Sequence, residues 1–431
     1  MAMMVMSNLP NVLVDECLSR VPLESVRAVR LTSINWNTLS KSGSFTKTHL
    51  GKLAEEEEKA RELGEFRMIV MMDYNVYLTN FVVGNQGRLR ACALGAKALG
   101  LFFFYKNSLD RRALTKPLGK LTCQVKISQV FHCDGLLLCV FKGDSTRLVV
   151  WNPYLCQTRS IQTTHFDGLD THDFKYAIGY EDKNNHRTYK ILRFRGAYLG
   201  YRYIGAHLLF YEIYDFDSDL WTTHNLTAYW NIGFCDSDRG VSLKGNTYWC
   251  ATDALGIISL TVCYDFTRNR FGGVQDLPFR APYKQLVTLS CVRDEKLSVL
   301  IQSMDTFVID VWITDKIEEH KVLWDDEYLR VNKFSWSKFL SVDMGPLSDL
   351  RISDGSFFID EEKKLAMVFN KDSEERSDTV KIFGEDGYFT ELDLGEPSDK
   401  KCWPLVCSYV PSLVQIKLPE AGRDKRKRQS Y

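Results

Sequence analysis

CDGLLLCVFKGDSTRLVVWNPYLCQTRSI, residues Cys133 to Ile161, decides how the rest of the chain is read. Two cysteines, an Asp-Gly pair and a Trp-Asn-Pro elbow lie within one apolar stretch. Residue types alone suggest a place for chemistry. The pattern suggests structure instead: Cys133-Asp134-Gly135 has the composition of a tight turn between two strands, and Trp151-Asn152-Pro153 that of an elbow between two more. The choice turns on whether the chain repeats the unit.

It does. RLVVWNPYLCQTRSI has counterparts in FYEIYDFDSDLWTTHNL, LTVCYDFTRNRFGGVQDLP, FVIDVWITDKIEEHKVLW and TVKIFGEDGYFTELDL, each a strand ending in an aromatic, a polar turn and a second strand. The aligned aromatics are Trp151, Tyr214, Tyr264, Trp312 and Phe383. The preceding halves correspond as well: QVFHCDGLLLCVF, YAIGYEDKNNHRTYKILRF, GVSLKGNTYWCA, VTLSCVRDEKLSVLI and SFFIDEEKKLAMVF each read strand, tight turn, strand. Two successive hairpins make a four-stranded antiparallel sheet of about 40–50 residues, the footprint of a propeller blade. Five units run from about Ser128 to Gly395.

A sixth blade is expected from the two ends together. Phe66 to Phe81 and Trp403 to Ile416 are strand-like and flank the five units, and pairing them would close a ring and remove exposed sheet edges. A curved open array is the alternative. Between Val83 and Thr115 the hairpin texture fades, and the segment reads either as a divergent strand of the first blade or as an insertion. Leu101 to Tyr105 would be an awkward apolar exposure in a loop.

Composition excludes several functions. With 431 residues, 45% apolar and 13% aromatic, the chain buries a substantial core. A formal net charge of zero argues against a general binder of nucleic acid or of anionic membranes. No apolar run approaches the ~20 residues of a membrane helix, and the N-terminus lacks the basic region of a secretory signal. The twelve cysteines contain no CxxC pair, and their spacing does not suit a zinc finger. Cys133, Cys139 and Cys156 are therefore expected in the core or at turns. No nucleophile, phosphate-binding or zinc-protease motif stands in a usable context. His165, Asp167, Asp170, His172 and Asp173 cluster in HFDGLDTHDF, yet they fit no ligand template and are expected in a solvated loop between blades. No metal or other cofactor is expected, and no enzymatic activity.

The first fifty residues have a different texture. Pro10 suits a first helical position, and Leu13, Val14, Cys17 and Leu18 form a stripe at helical spacing. Pro22 marks a second helix start, with Leu23, Val26 and Val29 on one side; Trp36 and Leu39 continue a third. A unit near ~40 residues rarely buries enough surface to be stable alone, so its apolar residues need a partner. Ala54 to Gly64, AEEEEKARELG, is a charged helical stretch with a solvated face.

Residues 9–40, LPNVLVDECLSRVPLESVRAVRLTSINWNTLS, resemble an F-box, whose usual pattern is LP…ILSRVPLxSLRxVRxxCKxWNxLS. They depart from it at Cys17, where Ile is common, and at Ser33-Ile34, where Cys-Lys is frequent. FHCDGLLLCV…RLVVWNPYLCQTRSI, YAIGYE…YKILRF, YEIYDFDSDLW, GVSLKGNTYWCA and SYVPSLVQIK are similar to the F-box-associated interaction domain of plant F-box proteins. Together the two resemblances cover most of the chain. They imply a small all-α F-box at residues 5–50, a charged helical linker at 51–65, an all-β, propeller-like domain of five to six four-stranded antiparallel blades at 66–418, and a basic tail at 419–431.

The family resemblance implies the substrate-recognition subunit of a Skp–cullin–F-box ubiquitin ligase. The F-box would dock a Skp-type adaptor, and through it the cullin scaffold, using Leu9, Pro10, Leu13, Val14, Leu18, Val21, Pro22, Leu23, Val26, Val29 and Trp36. The propeller-like domain would take an unidentified protein substrate, and neither nucleic acid nor membrane is an expected partner. A non-degradative scaffold built on the same platform is the alternative. Lys425, Arg426, Lys427 and Arg428 read as a nuclear-import signal or a solvated end, so the nucleus, the cytoplasm or both are the expected location.

Overall fold

The computed structural model describes residues 11–21, 29, 32–40, 42–62, 65–83, 89–93, 126–155, 157–163, 174–183, 186–195, 207–232, 239–282, 285–303, 305–317, 334–345, 356–371, 376–385, 389–397, 399 and 402–416. Three helices lead: α1 (Asn11–Leu18), α2 (Ile34–Leu39) and α3 (Gly43–Glu62). The expected F-box and linker share α3, which runs unbroken across residues 50 and 51.

All the named strands that follow fall into six four-stranded antiparallel sheets, a six-bladed propeller. The chain first makes β1 (Glu65–Met72), β2 (Asn75–Val83) and β3 (Leu89–Ala93). Blade 1 is β4 (Ile127–Cys133), β5 (Leu136–Phe141), β6 (Asp144–Asn152) and β7 (Gln157–Gln162); blade 2 is β8 (Phe174–Lys183), β9 (His186–Arg195), β10 (His207–Asp215) and β11 (Leu220–Ala228). Blade 3 is β12 (Val241–Leu243), β13 (Asn246–Thr252), β14 (Ile257–Asp265) and β15 (Arg270–Pro282). Blade 4 is β16 (Leu286–Val292), β17 (Lys296–Gln302), β18 (Val308–Thr314) and β19 (Trp336–Asp343). Blade 5 is β20 (Ser356–Asp360), β21 (Leu365–Lys371), β22 (Asp378–Gly384) and β23 (Phe389–Gly395). Last comes β24 (Leu405–Ser408), which completes blade 6 beside β1 in the order β24-β1-β2-β3.

The ring is therefore closed rather than open. Met68–Met71 of β1 pair antiparallel with Leu405–Ser408 of β24. Within the divergent segment, Leu89–Ala93 is the outer strand of the closing blade, paired with β2; residues 94–125 lie outside the described set, Leu101 to Tyr105 among them.

Turn chemistry sets the hairpins. Asp134 and Gly135 have φ of 48° and 73°, Lys244 and Gly245 of 48° and 82°, both two-residue loops with positive φ throughout. That geometry matches the right-handed twist of the flanking strands. Gly135 meets a second requirement: a Cβ built there would lie 2.6 Å from Ser412 Cβ, because the segment after β24 passes directly over this turn. Asn152, the elbow residue, donates from Nδ2 to the carbonyls of Ser412 and Val414, and its Oδ1 accepts the Leu155 N–H. Ile416 N–H donates to Gln157 Oε1. The opening stretch is thus both a blade and the seat of the chain's end.

Each apolar cluster of the propeller fills a seam between two neighbouring blades. In β5, Leu137, Cys139 and Phe141 face the seam with blade 6, while Leu136, Leu138 and Val140 face blade 2. Burial on both faces is why LLLCVF is apolar throughout rather than alternating. Cys133 and Cys139 are buried there as packing residues; Cys156 and the HFDGLDTHDF cluster lie outside the described residues. The aligned aromatics all fall on third strands, but Trp312 stands out of register. It pairs with Val299, the fourth residue of β17, and Tyr214 pairs with Ile191, the sixth residue of the longer β9, whereas Trp151, Tyr264 and Phe383 pair with the second residue of the preceding strand. Leu297 takes that second place in β17, its N–H bonded to Thr314 Oγ1.

Buried charge links blades side to side. Arg159 of blade 1 donates to the Phe216 carbonyl and the Tyr214 hydroxyl of blade 2. Lys190 of blade 2 bonds Glu181 at 2.8 Å and donates to Phe266 O and Asn269 Oδ1 of blade 3. Such groups need their partners when buried, so they fix which blade meets which.

Gly135→Ala is expected to lower stability by at least about 2 kcal/mol, since it combines a disfavoured backbone region with overpacking. Deletion of residues 402–416 is expected to abolish cooperative unfolding. Thermal and urea melts followed by circular dichroism check both.

Candidate functional site

The helical unit has a minimal core. Val14, Leu18 and Phe45 are buried together, and Val21, Val29, Trp36 and Leu39 pack around them. Polar contacts pin α1 to α3: Lys52 Nζ bonds Glu16 at 2.9 Å and Ser19 Oγ at 2.7 Å, and Arg20 bonds Glu16 one turn away. These partners hold the Glu16 carboxyl below its ordinary range, the Lys52 hydrogen bond most of all.

Side-chain direction then sorts the eleven residues expected to meet an adaptor. Leu13 is half exposed, at 50%. Val14 and Leu18 point inward, and Val21, Val29 and Trp36 are half-buried against the same core. Leu9, Pro10, Pro22, Leu23 and Val26 lie outside the described residues, as does the basic tail. Among the described residues, the most open apolar side chain of the unit is one that sequence reading did not select: Ile34, 85% exposed at the start of α2. A signal for it was present, because Ile34 replaces the polar residue usual at that place in the F-box pattern.

Helix α3 carries this unit onto the ring. His49 is buried within α3, with Nδ1 2.6 Å from the Tyr154 hydroxyl and Nε2 2.8 Å from the Val21 carbonyl. A carbonyl only accepts, so Nε2 carries the proton, and Nδ1 accepts from Tyr154. The ring also stacks between Phe45 and Tyr154. One turn on, Leu53 enters the core between blades 6 and 1 beside Trp151, Tyr154 and Leu405. Glu55, Glu58, Lys59 and Glu62 remain exposed. One helix thus belongs to both cores, which ties the orientation of the small unit to the propeller.

Tyr154 lies in the turn between β6 and β7, on the face where first and second strands of blades 1 to 5 also turn. Polar pairs run from blade to blade there. Asp134 accepts from Arg187 at 2.8 Å and from the Tyr189 hydroxyl; Asp294 accepts the Lys244 N–H at 3.1 Å. Arg293 and Lys296 reach Glu362 and Glu361. Burial among these turns, with Asp134 nearby, pushes the Asp294 carboxyl up to about 6. Opposite lies the face from which the fourth strands return to the next first strand. The connections spanning 94–126, 163–173, 229–240, 344–355 and 396–404 leave and re-enter the sheets on that side. The helical unit therefore docks on one face, and most of the longer connections belong to the other.

The described core thiols are poor nucleophiles. Burial pushes Cys139 and Cys407 up to about 12, and Cys133, Cys263 and Cys291 higher still. A thiolate, not a thiol, attacks or ligates, so these residues pack rather than react. Burial also lowers His132 to about 4; it stays neutral, and its Nε2 accepts the Gly135 N–H. Among the described residues no group of three or more His, Cys, Asp or Glu is placed to hold a metal ion, and no helix is long and apolar enough to cross a membrane.

Two consequences can be measured. Leu18→Ala is expected to cost about 2–3 kcal/mol of stability as a buried truncation, and Leu13→Ala less than about 0.5; chemical denaturation separates them. For Asp294 the sign is set by a folded pKa above the unfolded one. Its ionisation opposes folding, so stability is lost as pH rises from about 4 to about 6. Asp294→Asn is then expected to melt higher than the parent at neutral pH, with the difference vanishing below about pH 4.

Comparison with known proteins follows the same division of the chain. Residues 6–48 match the F-box domain, and residues 67–416 match the F-box associated beta propeller domain. An F-box protein of Arabidopsis thaliana is 45% identical over 433 residues, covering 99% of this chain and 94% of its own. An Arabidopsis thaliana F-box/kelch-repeat protein is 44% identical over 449 residues, covering 100% and 95%. A third relative from Arabidopsis thaliana, named Peroxiredoxin-2A, is 43% identical over 433 residues, covering 97% of this chain and 70% of its own.

Proposed function

The chain belongs to the F-box proteins that carry an F-box associated β-propeller domain, and from that premise we propose that it is the substrate-recognition subunit of a Skp–cullin–F-box ubiquitin ligase. In this reading it docks a Skp-type adaptor with its helical unit, reaches the cullin scaffold through that adaptor, and holds a protein target on the propeller. The observation that carries it is the placement of Leu13 and Ile34. Both are apolar and solvated on a unit whose described core, Val14, Leu18 and Phe45, does not include them. Buried apolar anchors dominate binding energy at protein interfaces, so a pair left in water marks where a partner closes.

The two ends of the molecule suit the two tasks. Through α3 the adaptor-facing unit is anchored at the seam of blades 6 and 1, while the face with most of the longer connections points away from it. Loops on a rigid scaffold are where recognition residues concentrate, and that face is the one assigned here to the target. The chain contributes geometry: holding a target near a conjugating enzyme raises the effective concentration of its lysines. The name of one relative denotes a thiol enzyme. We carry no such chemistry over, because burial keeps the described core thiols protonated. The basic tail suits work in the nucleus as well as the cytoplasm.

Leu13→Ala with Ile34→Ala is expected to weaken binding of a purified Skp-type adaptor by at least about tenfold, with the melting temperature unchanged. Leu9→Ala with Pro10→Ala is expected to do the same. Isothermal titration reads both, and adaptor affinity that survives both changes defeats the assignment. Adaptor binding without ubiquitin transfer to any captured protein would point to a scaffold.

A further inference from the structure

Six outer strands end the six blades, and five of them are visibly blunted. An unpaired edge presents free N–H and C=O groups to any passing strand, and proteins protect such edges with charges, prolines, bulges or shortness. Strand β15 carries Pro278 and two register shifts; β19 has Lys338 and a register shift; β23 has Glu391, Asp393 and a register shift. Strand β7 is short and turns Arg159 inward, and β3 is five residues long with Arg90. Strand β11 has none of these. Its nine residues, LWTTHNLTA, include no charge, proline or glycine, and they pair with β10 without a register shift. No strand pairs with its other edge among the described residues. Leu220, Thr222, Thr223, Asn225 and Thr227 are exposed, as are Phe210 opposite Asn225 and Tyr229 just beyond the strand.

We propose that β11 is the pairing strand of a homodimer, docking antiparallel on β11 of a second copy about a two-fold axis at His224. The strand is complementary to itself in that register. Leu220 falls opposite Ala228, Trp221 opposite Thr227, Thr222 opposite Leu226 and Thr223 opposite Asn225. Apolar and methyl-bearing side chains meet in three of these pairs, and two small polar side chains in the fourth, with no like charges opposed. The charges beyond the strand also agree. Asp217 and Asp219, in the turn before β11, fall opposite the uncharged Asn231 and Tyr229 of the second copy. A parallel arrangement would instead set acidic turn beside acidic turn. His224 stacks on Tyr211 of its own blade at 5.3 Å, which turns the ring away from the seam. The contact is isologous and closes at two copies, so it does not propagate into a fibre.

A charge exchange across the axis tests the register. Thr223→Lys with Asn225→Lys places lysine opposite lysine twice, whereas Thr223→Lys with Asn225→Glu places lysine opposite glutamate twice. Both positions are exposed, and equal melting temperatures will show that both variants fold. Sedimentation velocity of the full chain over a wide concentration range is expected to show a reversible dimer. The dilysine variant should weaken it by about tenfold or more, and the Lys/Glu variant should retain it. Hydrogen exchange should show β11 amides protected in the dimer and open in the dilysine monomer. A parent chain that stays monomeric throughout, or two variants that dimerise alike, overturns the proposal. So does protection of β11 that arises only on adding a target protein, which would give the edge to a foreign strand.

Discussion

Four residue pairs hold this molecule shut: Met68 with Ser408, Ile69 with Cys407, Val70 with Val406 and Met71 with Leu405. Loop closure across more than three hundred residues is entropically slow, but its cost grows only with the logarithm of length. The contacts around the closing strand supply what offsets it. Cys402 accepts the Tyr74 N–H, Lys142 bridges Tyr74 and Asp399, and Asn152 clasps the carbonyls that follow β24. Without that seam, blade 6 would lack its inner strand and blades 5 and 1 would each lose a neighbour. Blade 6 packs against blade 1 on one side and blade 5 on the other, so two of the apolar seams meet at the closing blade.

The same seam receives helix α3. Leu53 joins the core between blades 6 and 1, and His49 reaches Tyr154 in the turn of the blade that seats the chain's end. The helical unit is therefore anchored where the ring closes, and closure and orientation are one structural event. This also bears on why so small a unit is stable: the three apolar side chains buried among its described residues would be insufficient alone, but its longest helix borrows a second core. Buried polar groups such as Arg159 and Lys190 add specificity, since each takes part of its hydrogen bonding from the neighbouring blade.

Much of the propeller was legible because its turns and strands are local. Asp134-Gly135 and Lys244-Gly245 announce hairpins through residues that tolerate positive φ, and doubly buried strands announce themselves as apolar runs. Trp312 shows the limit. It is the right residue type in the right strand, yet it stands two places early: β17 and β18 pair without a register shift, and Thr314, not Trp312, bonds Leu297. The residue type along one strand does not reveal which place of its neighbour it faces. Closure was legible as a pairing of ends, since the five complete units left strand-like segments over on both sides. The inner position of β24 was not, because nothing local distinguishes an axis strand from a rim strand.

For the candidate site the division is sharper. The sequence by itself determined that a helical motif of known pattern precedes a repeated four-strand unit, because turn residues and apolar periodicity act within a few residues. Only the tertiary structure decided which apolar residues of that motif are spare. Val14 and Leu18 look the same as Leu13 in a stripe at helical spacing, yet the packing of α3 against α1 buries the first two and leaves the third in water. Gly135 carries the clearest case: its turn is written in Asp-Gly, but its intolerance of any side chain comes from Ser412, a residue remote in the chain that the closing of the ring lays across it.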